Sequence, residues 1–243
     1  MKKFELTSEF ITNVFGVKLF RIRALVEFGN VKAGDLGGYI EKEENLNQDG
    51  NAWVSDNAWV SDNARVSDNA WVSDNAWVRG DARVSDNARV SDNARVSDNA
   101  WVSDNACVSD NARVRGDARV SDNARVSDNA RVSDNARVRG DACVSDNARV
   151  RGDACVSGNA CVSGNAWVID DTDYATIKGF GRFNRNTTFF RCKDGKVRVV
   201  CGCFFGDLEE FRAIVKRTHG DGKLAKEYLA IADLMEMHFS EVE

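Results

Sequence analysis

Arginine, tryptophan and cysteine, three residue types that can carry binding chemistry, recur at one position of a six-residue repeat. The stretch Asn57–Val72 reads NAWVSDNARVSDNAWV, and the variable residue stands between an alanine and a valine. An arginine guanidinium donates a fork of hydrogen bonds to phosphate or carboxylate groups, and a tryptophan ring stacks on planar groups. The repeat therefore predicts a regular display of side chains suited to anions or stacked rings.

The period of the repeat indicates how these side chains are positioned. Valine stands at every sixth position from Val54 to Val168, which gives twenty hexads without interruption. In an extended segment, alternate side chains point to opposite faces, so alanine and valine share one face while the variable residue and serine share the other. The Asp-Asn, Gly-Asp or Gly-Asn pair that follows favours a turn. A short strand and a turn, repeated at a fixed period, predict a solenoid whose core forms by stacking.

The pattern V-S-D-N-A-x resembles the hexapeptide repeat of left-handed parallel β-helices over residues 52–171. That resemblance implies three hexads in each triangular coil and left-handed winding. The segment LFRIRALVEFGNVKAGDLGGYIEKEENL at 19–46, with the hexads, resembles phage and enterobacterial hexapeptide proteins that carry a transferase label. We therefore expect a mainly β protein with an N-terminal cap and irregular first coil (1–50), a left-handed parallel β-helix (51–180) and a small C-terminal ββαα unit (181–243).

The C-terminal unit is predicted from local patterns. Tyr174 and Phe180 still follow the six-residue spacing of the repeat. Further on, Asp194-Gly195 between two apolar segments is a strong signal for a β-hairpin. A two-residue turn would put six side chains on one face. These are Phe190, Cys192, Val197, Val199, Cys201 and Cys203. Two helices follow, the first with a capping box at its start and a glycine stop, the second amphipathic. The residues concerned are Asp207, Glu210 and Gly220 for the first helix, and Leu224, Tyr228, Ile231 and Met235 for the second.

Superposition of coils would sort the outward residues into three columns. The first is Trp53, Trp71, Arg89, Cys107, Arg125, Cys143, Cys161; the second is Trp59, Trp77, Arg95, Arg113, Arg131, Arg149, Trp167; the third is Arg65, Arg83, Trp101, Arg119, Arg137, Cys155. The second column, with three arginines that follow a valine, is predicted to be a binding face. Its binding residues are Arg79, Arg95, Arg113, Arg115, Arg131, Arg149, Arg151, Trp59, Trp77 and Trp167.

Two structural alternatives compete with these binding hypotheses. The arginines could be balanced by aspartate columns at the turns, in which case they would only keep the rod soluble. The tryptophans of the first two coils form either a subunit or partner interface or a surface covered by the N-terminal segment. The interface residues under the first reading are Trp53, Trp59, Trp71 and Trp77, and the covering residues under the second are Phe4, Phe10, Phe15 and Phe20.

The expectation for catalysis is negative. The resemblance implies acyltransferases with a histidine base or carbonic anhydrases with three histidines on zinc, but the sequence has two histidines, His219 and His238, both in the predicted helical tail. A general base must reach its proton within hydrogen-bond distance, and no hexad offers an imidazole. Calcium on the aspartates and zinc on the tail cysteines are disfavoured by their ligand patterns. No catalytic residue, metal or cofactor is predicted.

Composition favours a cytoplasmic protein. The formal net charge is −5, which gives no overall attraction to nucleic acid or anionic membranes. The N-terminus lacks an apolar signal segment, no apolar run is long enough to span a membrane, and seven unpaired cysteines suggest reduced thiols.

Three functions remain open from the sequence. The main hypothesis is a non-catalytic β-helical scaffold that presents arginine and tryptophan ladders to a protein partner or to itself, with an accessory or host-interaction role in a phage. The second is an acyltransferase-like enzyme that binds acyl-coenzyme A between the solenoids of a homotrimer. The third is a binder of single-stranded nucleic acid or nucleotide through the arginine column, a weaker expectation.

Overall fold

A computed structural model describes residues 2–182 and 184–240 of the chain. The repeat forms a parallel β-solenoid of about seven turns, in which each two-residue strand pairs with the strand 18 residues further along. One sheet contains β4 (Trp53–Val54), β7 (Trp71–Val72), β10 (Arg89–Val90), β13 (Cys107–Val108), β16 (Arg125–Val126), β19 (Cys143–Val144) and β22 (Cys161–Val162).

The other two solenoid sheets have the same register. One contains β5 (Trp59–Val60), β8 (Trp77–Val78), β11 (Arg95–Val96), β14 (Arg113–Val114), β17 (Arg131–Val132), β20 (Arg149–Val150) and β23 (Trp167–Val168). The last contains β6 (Arg65–Val66), β9 (Arg83–Val84), β12 (Trp101–Val102), β15 (Arg119–Val120), β18 (Arg137–Val138) and β21 (Cys155–Val156). The predicted parallel solenoid and its three columns are therefore confirmed.

The core of the solenoid consists of valine and alanine. Every alanine from Ala52 to Ala166 and every valine from Val54 to Val168 that belongs to the repeat is at most 1% exposed. Burial of one valine side chain contributes roughly 1.5–3 kcal/mol, so stacked coils gain stability although each strand has only two residues.

The turns explain why the repeat carries Ser-Asp-Asn. Asp104 has a φ of 59°, in the left-handed region that aspartate tolerates better than most residues. Its Oδ2 accepts hydrogen bonds from Ser103 Oγ at 3.0 Å and from the Asp122 amide of the next coil at 3.2 Å. The asparagines form a ladder of side-chain amides, as where Asn105 Nδ2 donates to Asn123 Oδ1. The turn aspartates thus bond to neighbouring turns.

An N-terminal antiparallel hairpin and a third strand cap the first coil. They are β1 (Phe4–Thr12), β2 (Lys18–Ala24) and β3 (Leu36–Ile40). β3 pairs parallel with β5, so the cap continues one solenoid sheet and covers its edge. A short 3-10 turn follows at Glu43–Asn45, and Leu46 bridges to Val66. An uncovered sheet edge is a template for aggregation, which gives the cap a structural role.

The cap also buries two of the four predicted interface tryptophans. Trp53 is 2% exposed and meets Phe28 edge-on at 5.4 Å between ring centroids, and Trp59 is 5% exposed beside Leu19 and Tyr39. The N-terminal segment therefore covers this pair, and the interface role of the four tryptophans stays a prediction. The covering residues differ in part from the prediction, because Phe10 and Phe15 are exposed, whereas Phe4 is buried in the same cluster as Trp53.

The tail contains a four-stranded antiparallel sheet, so the predicted ββαα unit has two strands too few. The strands are β24 (Tyr174–Phe180), β25 (Arg185–Arg191), β26 (Val197–Cys201) and β27 (Phe204–Asp207), after a 3-10 turn at Asp171–Asp173. β24 belongs to this sheet because it pairs antiparallel with β25, whereas the phase of the repeat had suggested continued coils. The predicted domain boundaries stay predictions.

The predicted two-residue turn at Asp194-Gly195 is also wrong. Arg191 pairs with Val197, and the Cys192 amide donates to the Lys196 carbonyl at 2.9 Å, which leaves three residues in the loop. A shift of one residue moves side chains to the opposite face of a strand. The six predicted residues consequently separate: Phe190 and Cys192 face the solenoid, Val197, Val199 and Cys201 face the helices, and Cys203 is exposed.

Two helices complete the tail, α1 (Leu208–His219) and α2 (Lys223–Phe239). The predicted capping box is confirmed, since Asp207 accepts from the Glu210 amide at 3.0 Å and Glu210 Oε2 accepts from the Asp207 amide at 2.8 Å. Gly220 ends α1 as predicted. Among the described residues, neither helix is long and apolar enough to cross a membrane.

Lys3 is a buried lysine at the junction between the cap and the first coil. Its side chain is only 3% exposed, and Nζ donates to the Ala52 carbonyl at 2.9 Å. Burial lowers the pKa of Lys3 to about 8, an effect that the negative charge of Asp49 partly opposes. The folded protein therefore holds this proton less tightly than the unfolded chain.

This lysine predicts a pH-dependent stability. Between the folded pKa of about 8 and the unfolded value of 10.5, the unfolded state binds more protons, so stability rises with pH by up to about 1.4 kcal/mol per unit. Lys3→Met should lack this rise. Urea unfolding of both proteins across that pH range measures the difference, and parallel pH profiles would contradict the prediction.

Candidate functional site

The second column forms an uninterrupted ladder on one side of the solenoid. Trp59, Trp77, Arg95, Arg113, Arg131, Arg149 and Trp167 stand opposite each other in consecutive strands, in that order. Arg79, Arg115 and Arg151 each follow the valine of a strand in the same sheet. We name the seven arginines of these two groups the arginine face. Neighbouring rungs lie about 4.8 Å apart, which is the spacing of adjacent strands.

Aromatic rings close both ends of the arginine face. At the N-terminal end, the rings of Trp59 and Trp77 are 4.5 Å apart, and the Arg95 guanidinium lies over Trp77 at 4.1 Å. Arg79 lies over Phe15 at 5.0 Å. Cation–π contacts of this kind contribute about 0.5–1 kcal/mol at exposed sites. The terminal arginines are therefore held in place by ring contacts.

The C-terminal end has a similar arrangement around Trp167. Arg151 lies over this ring at 4.8 Å, Arg149 at 5.6 Å and Lys193 at 5.9 Å. Lys193 was missed by sequence analysis, because it lies in the loop between β25 and β26 and only the folded tail brings it to the ladder. Three cations thus surround one ring at this end.

The centre of the arginine face forms no ion pair within the described part of the chain. In residues 2–182 and 184–240, no arginine of the solenoid repeat lies within ion-pair distance of a carboxylate. The alternative in which aspartate columns balance the arginines is therefore not supported. The turn carboxylates bond to serine hydroxyls and to amides of the next coil, as Asp128 does with Ser127 and Asp146.

Arg131 is the most crowded member of the arginine face. Partial burial lowers the pKa of Arg131, and the positive charges of Arg149, Arg113 and Arg115 lower it further. The guanidinium remains protonated at neutral pH, since arginine titrates far above this range. Repulsion between these groups makes the centre of the face a favourable place for an anion.

Neither the first nor the third column has four arginines in consecutive rungs, as the second column has. In the first, arginine alternates with cysteine from Arg89 to Cys143, and Trp71 is half-buried. In the third, Trp101 is 41% exposed and forms the wall of a groove of about 850 Å³ beside the 3-10 turn of the cap, with Arg65 and Arg83. Sequence analysis missed this groove, since it depends on where the cap lies.

The histidines lie away from the solenoid surface. His219 ends α1 and stacks on Tyr228 at 5.9 Å, and His238 meets Phe239 at 4.9 Å. Their predicted placement in the tail is confirmed. In the described residues, no group of three or more histidine, cysteine or carboxylate side chains is arranged to hold a metal ion. The arginine face is consequently the best-developed candidate site.

Comparison with known proteins supports the repeat fold. The family model described as the YdcK beta solenoid repeat matches residues 58–74, 64–80, 82–98, 88–104 and 118–132. These segments all lie inside the solenoid and support a repeat β-solenoid protein. No curated protein matches the chain.

Proposed function

We propose that this protein is a non-catalytic β-solenoid scaffold whose arginine face binds an acidic protein surface. The observation that carries the proposal is the cluster of arginines, centred on Arg131, that has no carboxylate partner among the described residues. Left-handed winding, a cytoplasmic location and an accessory role in a phage, all implied earlier by sequence or resemblance, belong to the same proposal.

The chemistry of the face favours carboxylate partners. Arginine binds carboxylates through two parallel hydrogen bonds, and a rigid sheet fixes the rungs at one spacing. An acidic partner would reduce the repulsion between Arg131 and its neighbouring arginines. Its carboxylates would lose bound water as they bind. Because the sheet already fixes the backbone of the row, only the arginine side chains have to be ordered on binding, which limits the conformational entropy cost.

Nucleic acid is less well supported than an acidic protein. Binders of single strands use free aromatic faces on which bases stack. Trp59 is buried, and the rings of Trp77 and Trp167 carry Arg95 and Arg151. The aromatic residues of the second column therefore serve the ladder itself. The acyltransferase alternative and its homotrimer stay predictions, with no observation here that favours them.

A charge-matched pair of variants tests the proposal. The face variant combines Arg113→Gln, Arg131→Gln and Arg149→Gln, and the control combines Arg65→Gln, Arg83→Gln and Arg119→Gln in the third column. We expect the face variant to bind fluorescein-labelled poly-L-glutamate about tenfold more weakly than the wild type, since three exposed ion pairs at about 0.5 kcal/mol each contribute about 1.5 kcal/mol. The control variant should retain wild-type affinity in the same fluorescence anisotropy assay.

Three outcomes would overturn the proposal. Equal losses in both variants would show that net charge alone attracts the probe. Tighter binding of an oligo-thymidine of equal charge, with a steep salt dependence, would favour nucleic acid. A rise in melting temperature with acetyl-coenzyme A would favour the enzyme.

A further inference from the structure

Two cysteines stand side by side at the C-terminal end of the first column. Cys143 in β19 and Cys161 in β22 are register partners in adjacent parallel strands, and Arg125 in β16 precedes them. Both thiols are free and half-buried. Their strands are held firmly, because the Cys143 amide donates to the Ala160 carbonyl at 2.9 Å and the Cys161 amide to Thr188 Oγ1 at 3.0 Å.

The spacing of this pair does not suit a disulfide. Register partners in adjacent parallel strands lie about 4.8 Å apart with parallel side chains. A disulfide needs its sulfur atoms about 2.05 Å apart and its Cβ atoms about 3.8 Å apart, so oxidation would require the two coils to move. The strand β16 on one side of the pair and the hydrogen bond from the Cys161 amide to Thr188 on the other oppose such a movement.

The same spacing suits a bridging metal ion. With the zinc–thiolate bond length of about 2.3 Å as a guide, two such bonds in a straight line place the sulfur atoms about 4.6 Å apart, close to the distance between the strands. We propose that Cys143 and Cys161 form a linear two-coordinate site for a soft monovalent cation of the Cu(I) class. Thiolates select such ions, whereas structural zinc needs four ligands, more than this pair offers.

The charges around the pair are compatible with this site. On binding, the two thiols release two protons to solvent, and the two thiolates with one Cu(I) carry a single negative charge. Arg125, on the next rung, places a positive charge beside it. Two carboxylates lie nearby. That of Asp128 accepts a hydrogen bond from the Asp146 amide at 3.3 Å, and that of Asp146 accepts one from the Gly164 amide at 2.9 Å. These hydrogen bonds offset part of the negative charge of both carboxylates.

Two other cysteines in the solenoid provide internal controls. Cys107 occupies the same column, but its neighbours are Arg89 and Arg125. Cys155 ends the third column beside Arg137. Both are half-buried like the pair, yet neither has a cysteine in the adjacent strand. They share partial burial and the outward position of the repeat with the proposed ligands, and they lack a second thiol in the adjacent strand.

The test measures Cu(I) retained by the full chain against a chromophoric Cu(I) chelator, without oxygen and with ascorbate as reductant. We expect the wild type to retain one Cu(I) per chain. Cys143→Ser or Cys161→Ser should compete at least about 100-fold less well, because even the loss of a residue that only supports a metal ligand costs about 10–100-fold in affinity. Cys107→Ser and Cys155→Ser should behave as the wild type. Circular dichroism confirms that each variant is folded.

Two results would contradict the proposed Cu(I) site. A wild type that loses all Cu(I) to the chelator would show that the pair does not bind it. If Cys143→Ser and Cys161→Ser still retained Cu(I), the metal would be bound by other cysteines, such as those of the tail. Because none of the arginine face is altered, poly-L-glutamate binding should not change in any of these variants, and the two proposals fail independently.

Discussion

Replacing Phe190 by alanine is expected to lower the free energy of unfolding at the C-terminal end of the solenoid by about 3–5 kcal/mol, the usual cost of emptying a buried phenylalanine site. Phe190 is 0% exposed and packs, with Cys192, against the last coils. Its loss would open the contact through which the tail covers the final strands. Hydrogen exchange should show this at the Cys161 amide, which donates to Thr188 of β25.

The adjacent residue provides the matched control. Phe189 is also 0% exposed, but it packs against Phe211 and the helices on the other side of the sheet. Phe189→Ala should therefore accelerate amide exchange in α1 and α2 and leave the Cys161 amide protected. Identical exchange patterns in the two variants would contradict the assignment of these side chains to opposite faces.

Gly37→Val is expected to detach the N-terminal cap from the first coil. A Cβ atom at Gly37 would lie 2.5 Å from the Val54 carbonyl oxygen and 2.6 Å from Ile22 and Trp53 side-chain atoms. Overpacking costs typically 1–3 kcal/mol, and here a backbone oxygen that cannot rotate away is among the obstacles, so we expect a value at or above the upper end. Trp53 fluorescence should shift to the red as the ring meets water.

Leu36→Val is the control for this change. Leu36 precedes Gly37 in β3 and is 53% exposed, so a β-branched side chain there has space. Urea unfolding should give a near wild-type midpoint for Leu36→Val and a clearly lower one for Gly37→Val. A tolerated Gly37→Val would show that the cap is free to move away without cost.

The solenoid could be predicted from sequence because each hexad repeats the same local information. A valine at every sixth position fixes which side chains enter the core, and that fixes the outward columns. The end elements carry no such redundancy. The hairpin at Gly195 differs from the prediction by one loop residue, and this shift is enough to separate Phe190 from Val199, which were predicted to share one face.

Parts of the candidate site depended on information that no local pattern contains. The sequence left open whether Trp53 and Trp59 are exposed or covered, because their burial depends on residues of the cap, namely Leu19, Phe28 and Tyr39. The turn aspartates looked like counterions for the arginines, because their hydrogen bonds to the next coil appear only once coils stack. The charges of the arginine face were readable from the sequence, whereas the lack of partners was not.

The pairing of each strand with one 18 residues further along bears on how such a gene can evolve. Recombination between near-identical repeats that adds or removes one full coil would lengthen or shorten every face by one rung and leave the row of guanidinium groups unbroken. A change of a single hexad would instead rotate all downstream side chains onto a neighbouring face and interrupt the row. The length of the arginine face can therefore change during evolution only in steps of one coil if the row is to stay unbroken.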